Sequence, residues 1–148
     1  MPRQAHEIQY LLEQSGRLDA AVAAFSQYVR DWTESAANTL PSIRYVFAES
    51  GFTVEMHGVK LTPNYEQVKD GPAQMPTLYA RVSFCPVDRD NHLGQALHSI
   101  LIDENGNFSF DGTTNFAPNV AHKPGRDYAV KQLSLLIASA VQDSLQSL

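Results

Sequence analysis

The spacing of apolar residues changes twice along the chain, and this change limits the possible folds more than any other feature of the sequence. Up to residue 38 the apolar positions recur every three or four residues, which is typical of amphipathic helices. From Ser42 to Phe110 they recur at every second residue, as in strands, and the helical spacing returns after Asp127. A run of strands between helical ends predicts an α+β fold with an antiparallel sheet.

Two helices are predicted over residues 4–38, because Ser15 and Gly16 interrupt the helical pattern. The first has four residues at helical spacing, namely Ala5, Ile8, Leu12 and Ser15. The second has six residues on one seam, namely Leu18, Val22, Phe25, Val29, Trp32 and Ala36. A single apolar stripe in a globular chain normally faces its own core, so we expect this seam to pack on the sheet.

Five strands are predicted, over residues 42–48, 52–61, 77–84, 96–103 and 107–110, joined in order as an antiparallel meander. Two long loops, 62–76 and 111–126, each contain several Pro and Gly residues. A C-terminal helix is predicted over 127–148. We therefore expect one α+β domain over residues 1–148, with two N-terminal helices, a five-stranded meander and a C-terminal helix.

Two segments of the predicted sheet, 45–47 and 100–102, are apolar on both faces. The final helix has no charged residue from Leu133 to Gln142. Strands of a sheet with one solvent-exposed face should alternate apolar and polar residues. A helix this apolar is normally buried or in an interface. We therefore expect helices on both faces of the sheet or cover by a second subunit, and we favour a homodimer.

Composition excludes several classes of function. The net charge of −5 argues against direct nucleic-acid binding, which usually needs a basic face. No apolar run approaches the ~20 residues that span a bilayer, so we expect no membrane insertion. The single cysteine, Cys85, rules out an intrachain disulfide framework, and the start of the chain lacks a secretory signal pattern. These features favour a cytoplasmic protein.

The sequence also lacks the common catalytic motifs: there is no nucleophile elbow and no glycine-rich phosphate loop. Cys85 is expected to be a small buried hydrophobe, and His98 a hydrogen-bonded core residue, because each lacks a catalytic partner at a suitable spacing. The sequence leans away from an enzyme, and we expect no cofactor.

Two segments resemble metal-binding loops. Asp88, Asp90 and His92 lie two residues apart in the 85–95 loop, but three exposed polar residues are more typical of a solvated turn. Residues 103–111 resemble part of an EF-hand, but Phe108 occupies the position of the obligatory glycine. We predict a hairpin turn there and no bound metal in either segment.

The loops 85–95 and 111–126 are expected at the same end of the meander. Residues 85–111 contain five acidic residues and one arginine, a balance that suits a basic protein surface. Six residues of these two loops are our candidate partner contacts, namely Asp88, Asp90, His92, Asn115, His122 and Arg126.

The leading hypothesis is a protein that acts by binding another protein, as a chaperone, adaptor or inhibitor does, without catalysis. In architecture alone, an acidic α+β domain of this kind resembles secretion chaperones and phage-encoded inhibitors. The alternative is a small-molecule-binding domain or enzyme, with a pocket between sheet and helix or at the 85–95/111–126 end. Convergence of His98, Tyr79 and Arg81 on a deep cavity would favour the alternative.

Overall fold

The computed structural model describes residues 2–35, 40, 42–49, 51–114, 116 and 122–148, and these form two helices and one six-stranded sheet. The elements in chain order are α1 (Ala5–Glu34), β1 (Arg44–Ala48), β2 (Gly51–Met56), β3 (Val59–Asp70), β4 (Thr77–Pro86), β5 (His98–Ile102), β6 (Phe108–Ser109) and α2 (Lys123–Ser144). Neighbouring strands in the chain are neighbours in the sheet, and all pairs are antiparallel. The α+β class and the antiparallel meander are confirmed, whereas the predicted numbers of strands and helices are wrong.

The predicted pair of N-terminal helices is a single helix, α1, which continues through Ser15 and Gly16. A glycine inside a helix costs only about 1 kcal/mol relative to alanine, and packing along the rest of the helix outweighs that cost. Four residues of the second predicted stripe, Leu18, Phe25, Val29 and Trp32, are buried, and Val22 packs against the same core. The first segment is helical as its spacing predicts, but Ile8 and Leu12 are exposed. Ala36 lies outside the described residues.

The sixth strand arises because the predicted strand 52–61 is a hairpin, β2 and β3. His57 and Gly58 both have positive φ, at 51° and 75°, which is the geometry of a tight two-residue turn. Asparagine or aspartate is the usual first residue of such a turn, so His57 gave no turn signal. The predicted loop 62–76 is mostly strand, because β3 runs to Asp70 beside β4. The extra strand moves the turn after β1 to the opposite end of the sheet from the 85–95 loop.

The sheet curls around α1. The Phe25 ring lies 6.2 Å from that of Phe52 in β2 and 5.6 Å from that of Phe108 in β6. In a flat sheet these two strands, four positions apart, would be separated by about 19 Å, at ~4.8 Å per strand. One side chain contacts both only because the sheet wraps around the helix.

Both helices lie on the concave inner face, where α2 adds Val130, Leu133 and Ile137 to the same core as α1. The Tyr45 hydroxyl of β1 lies 2.5 Å from Ser134 Oγ of α2, and burial raises the pKa of Tyr45 to about 12. The uncharged stretch of the final helix is therefore buried along one stripe within the same chain, at Leu133, Ser134, Ile137 and Val141.

The opposite, outer face is partly covered by the segment that follows β6. The ring of Phe116 stacks on Tyr79 of β4 at 5.7 Å. A Cβ at Gly112 would lie 3.3 Å from the Ser99 carbonyl oxygen of β5, so this backbone lies close against the sheet. The chain thus covers part of both faces of its central strands, with helices on the inner face and a loop, not a helix, on the described part of the outer face.

The burial of Trp32 makes it a test of this core. Trp32 is 3% exposed and its ring lies 6.3 Å from that of Tyr45. We expect Trp32→Ala to lower the free energy of unfolding by about 3–5 kcal/mol in urea denaturation, because it removes a large buried ring. Tyr10→Ala, on an exposed aromatic of the same helix, should lower it by less than about 1 kcal/mol. Equal losses in the two variants would contradict this packing.

Candidate functional site: an opening between two strands

The ladder between β2 and β3 is short. Its three pairs lie next to the turn and end at Val54 and Leu61. Beyond that pair β2 continues beside β1 alone, and β3 continues for nine more residues beside β4 alone. The two strands therefore separate and leave an opening in the sheet.

Pro63 explains why the ladder stops there. The carbonyl oxygen of Lys60 accepts a hydrogen bond from the N–H of Val87, just beyond β4, at 3.0 Å. Backbone groups alternate between the two sides of a strand, so the backbone of Pro63, three residues on, faces β2. Proline has no N–H, so the next pair of the ladder, Phe52 with Pro63, lacks a donor.

A cavity of about 470 Å³ lies at this opening, between α1 and the sheet. Its inner wall is apolar and includes Phe25, Phe52 and Val82, while Thr53 and Thr62 belong to the opposite face of the sheet. A second hollow of about 270 Å³ shares Ser26, Ala48 and Gly51 with the first. Together they form one groove along α1, which we call the β2–β3 groove.

The acidic loop predicted as a partner contact folds on itself. Ligand atoms of Asp88, Asp90 and His92 lie within 4.8 Å of one another, and all three residues are exposed. One oxygen of Asp88 accepts the backbone N–H groups of Asp90 and His92, each at 2.9 Å, and His92 Nδ1 lies 3.5 Å from the other. The requirements of the turn account for the proximity of these side chains.

Two of the other predicted contacts, His122 and Arg126, lie at the start of α2. The carbonyl oxygen of His122 accepts the N–H of Arg126 at 2.9 Å, in the first turn of the helix. The Arg126 guanidinium lies over the ring of Tyr28 in α1, 4.9 Å from its centre. Asn115 lies outside the described residues. The structure thus brings together three of the six predicted residues in one loop and places Arg126 against α1.

The side chains that would have marked a reacting centre lie apart from the β2–β3 groove. His98 is on the inner face, half-buried, and its Nε2 donates to the Phe110 carbonyl oxygen at 2.6 Å, as predicted for a hydrogen-bonded histidine. Tyr79 and Arg81 lie on the outer face, where Tyr79 stacks on Phe116 and Arg81 pairs with Glu66.

Two further predictions concern single residues. Cys85 is 5% exposed, and burial raises the pKa of its thiol, as expected for a small buried hydrophobe. Asp103, in the EF-hand-like segment, accepts the N–H groups of Asn105 and Asn107 within a hairpin turn, which is the predicted structure.

Comparisons with protein-family models, curated proteins and solved structures found no match to this chain. Within the described residues, neither helix has a stretch long and apolar enough to cross a membrane.

The half-buried His98 makes the stability of the protein depend on pH. Burial lowers the pKa of His98 below its ordinary value of 6.5, against the opposing effects of the Phe110 carbonyl and Asp111. The unfolded chain therefore binds a proton at a higher pH than the folded chain, and stability falls as pH drops below 6.5 toward the folded pKa. We expect His98→Gln to flatten this slope in urea denaturation at about pH 7.5 and 5.5.

His92→Gln, at an exposed histidine, is the matched control and should keep the wild-type slope. A wild-type slope retained in His98→Gln would show that another group causes the pH dependence.

Proposed function

We propose that this protein acts by binding another polypeptide, without catalysis, and that the partner docks in the β2–β3 groove. The observation that supports this is the early end of the β2–β3 ladder, which leaves two strand edges without a neighbouring strand beside an apolar cavity. A chaperone, an adaptor or an inhibitor would each fit this mode of action. A cytoplasmic location suits the single cysteine, Cys85, which is buried and free.

An open strand edge combined with an apolar cavity offers two kinds of binding energy. Unpaired backbone N–H and C=O groups can bond to an extended segment of another chain. The cavity beside them can bury a side chain of that segment, and burial of one valine or leucine side chain contributes about 1.5–3 kcal/mol. Backbone bonds would give affinity, and the cavity would select for apolar side chains at alternate positions.

A small-molecule site is the alternative for the same cavity, since its volume lies within the ~300–1,000 Å³ common for ligand pockets. The polar groups that would act on a substrate, His98, Tyr79 and Arg81, are not among the residues that line it. We therefore favour the polypeptide. The six contacts predicted from the sequence and a partner with a basic surface remain predictions. The five of these residues that the structure describes do not line the groove.

A variant that fills the groove tests the proposal. Ser26 of α1 lines both hollows, so Ser26→Phe places a ring in the space that a partner would occupy. We expect a displayed library of random dodecapeptides to yield sequences that bind the wild-type protein and bind Ser26→Phe at least tenfold more weakly. Ala20→Phe, on an exposed part of α1, should bind them as the wild type does.

The acidic loop supplies the second control. Replacing Asp88, Asp90 and His92 together by Ala should leave the melting temperature and peptide binding nearly unchanged, because all three are exposed. Loss of binding in this variant alone would move the docking site to the loop. A selection with no enriched peptides, or native mass spectra of a co-purified small molecule that Ser26→Phe releases, would overturn the polypeptide proposal.

The expected homodimer also remains a proposal, and the structure suggests a surface for it. Tyr128, Leu135 and Leu136 of α2 are exposed, at 63%, 44% and 39%. We expect the wild-type protein to sediment at about twice its chain mass of 16.4 kDa at micromolar concentration, and a double variant, Leu135→Glu with Leu136→Glu, to sediment at 16.4 kDa. A wild-type monomer would contradict the dimer without affecting the proposed partner binding.

A further inference from the structure

We infer that the partner segment binds as an added β-strand, hydrogen-bonded to the open edge of β3. This inference rests on the proposed function and specifies its geometry and its chemistry. Its basis is the alternation of backbone direction along β3, which the bond between Val87 N–H and the Lys60 carbonyl fixes.

Every second residue of β3 faces the opening. The β3–β4 pairing is continuous from Leu61 to Asp70, so the alternation holds over that whole length. Asn64 and Glu66 therefore bond to β4, whereas the backbone groups of Tyr65, Gln67 and Lys69 point away from it. No other strand of the described chain pairs with this edge. It thus offers the free N–H donors and the carbonyl acceptors of these three residues.

The facing edge of β2 offers much less. The backbone groups of Gly51 and Thr53 point toward β1, as those of Glu55 do. Beyond the last β2–β3 pair, Phe52 is therefore the one residue of β2 whose backbone faces the opening. An added strand therefore pairs mainly with β3. Its side chains alternate, with one set directed toward the inner wall at Phe25 and the other toward the outer face.

The charges along β3 define the partner further. Lys60 and Lys69 are both exposed, and neither forms an ion pair with any residue that the structure describes. The acidic neighbour Glu66 is already paired with Arg81. Asp70, exposed at the end of β3, lies next to Lys69 and balances its charge, so the unbalanced charge on this strand is that of Lys60, which lines the cavity. We therefore assign the partner segment an apolar middle, at alternate positions, and an acidic residue at the end that lies near Lys60.

Pro63 also limits what this edge accepts. A partner carbonyl opposite Pro63 finds no donor, and proline with lysine is a common protection of strand edges against indiscriminate pairing. A partner strand can therefore pair with this edge from Tyr65 onward, but it cannot form a long ladder that continues past Pro63.

Amide hydrogen exchange tests the geometry directly, with the tightest-binding peptide from the display selection as probe. In the unbound protein the amides of Tyr65 and Gln67 should exchange rapidly, while those of Asn64 and Glu66, bonded to β4, exchange slowly. Peptide binding should slow exchange at Tyr65 and Gln67 at least 100-fold and leave Glu66 nearly unchanged. Bound peptide without protection of Tyr65 and Gln67 would overturn strand addition and leave the proposed docking intact.

Charge reversal tests the assigned chemistry. Lys60→Glu should weaken binding of that peptide at least fivefold, whereas Lys131→Glu, at an exposed position on α2, should weaken it less than twofold. Equal effects in the two variants would overturn the acidic end of the segment. If no peptide binds in a manner that depends on Ser26, the proposed function itself fails.

Discussion

The packing of Phe25 against β2 and β6, four strand positions apart, is the contact on which the rest of the structure depends. Because one ring touches β2 and β6, the sheet must curl, and the curl encloses α1 within its concave face. The same curl directs the inner side chains of the strands toward one helix and lets a single core include residues from both helices. The β2–β3 groove lies beside this ring, since Phe25 is part of its inner wall.

Periodicity predicted the fold class and the meander well, because burial on one face of a strand or helix imposes a regular spacing. It failed where a single residue type contradicted its surroundings. Gly16 resembled a break but lies inside a packed helix, and His57 resembled a strand residue but occupies a turn. Pro63 resembled a loop residue but lies in a strand, with its missing donor on the open side. In each case the conformation of the residue is determined by contacts with neighbouring elements, which the local sequence does not specify.

The candidate site was harder to predict than the fold. The sequence drew attention to Asp88, Asp90 and His92, because charged side chains stand out in a loop, and the structure explains their proximity by the turn itself. The β2–β3 groove depends instead on backbone groups left without a neighbour, and backbone groups are the same in every residue except proline. The one local signal was Pro63 within a segment of otherwise strand-like residues. That signal gains its meaning only after the pairing of β3 with β4 is known.

The strands on the two sides of the β2–β3 groove are connected to opposite ends of α1. Arg3, just before the helix, donates to the carbonyl groups of Ala73 and Gln74 beyond β3, while Trp32 near the other end packs on β1. The helix therefore sets the distance between β1, on one side of the groove, and the end of β3, on the other. Gly16 lies between the two attachments, and glycine beside serine is a common place for a helix to kink. A small bend of α1 at Gly16 would change the distance between its two attachment points. It would thereby widen or narrow the β2–β3 groove without altering any residue that lines it.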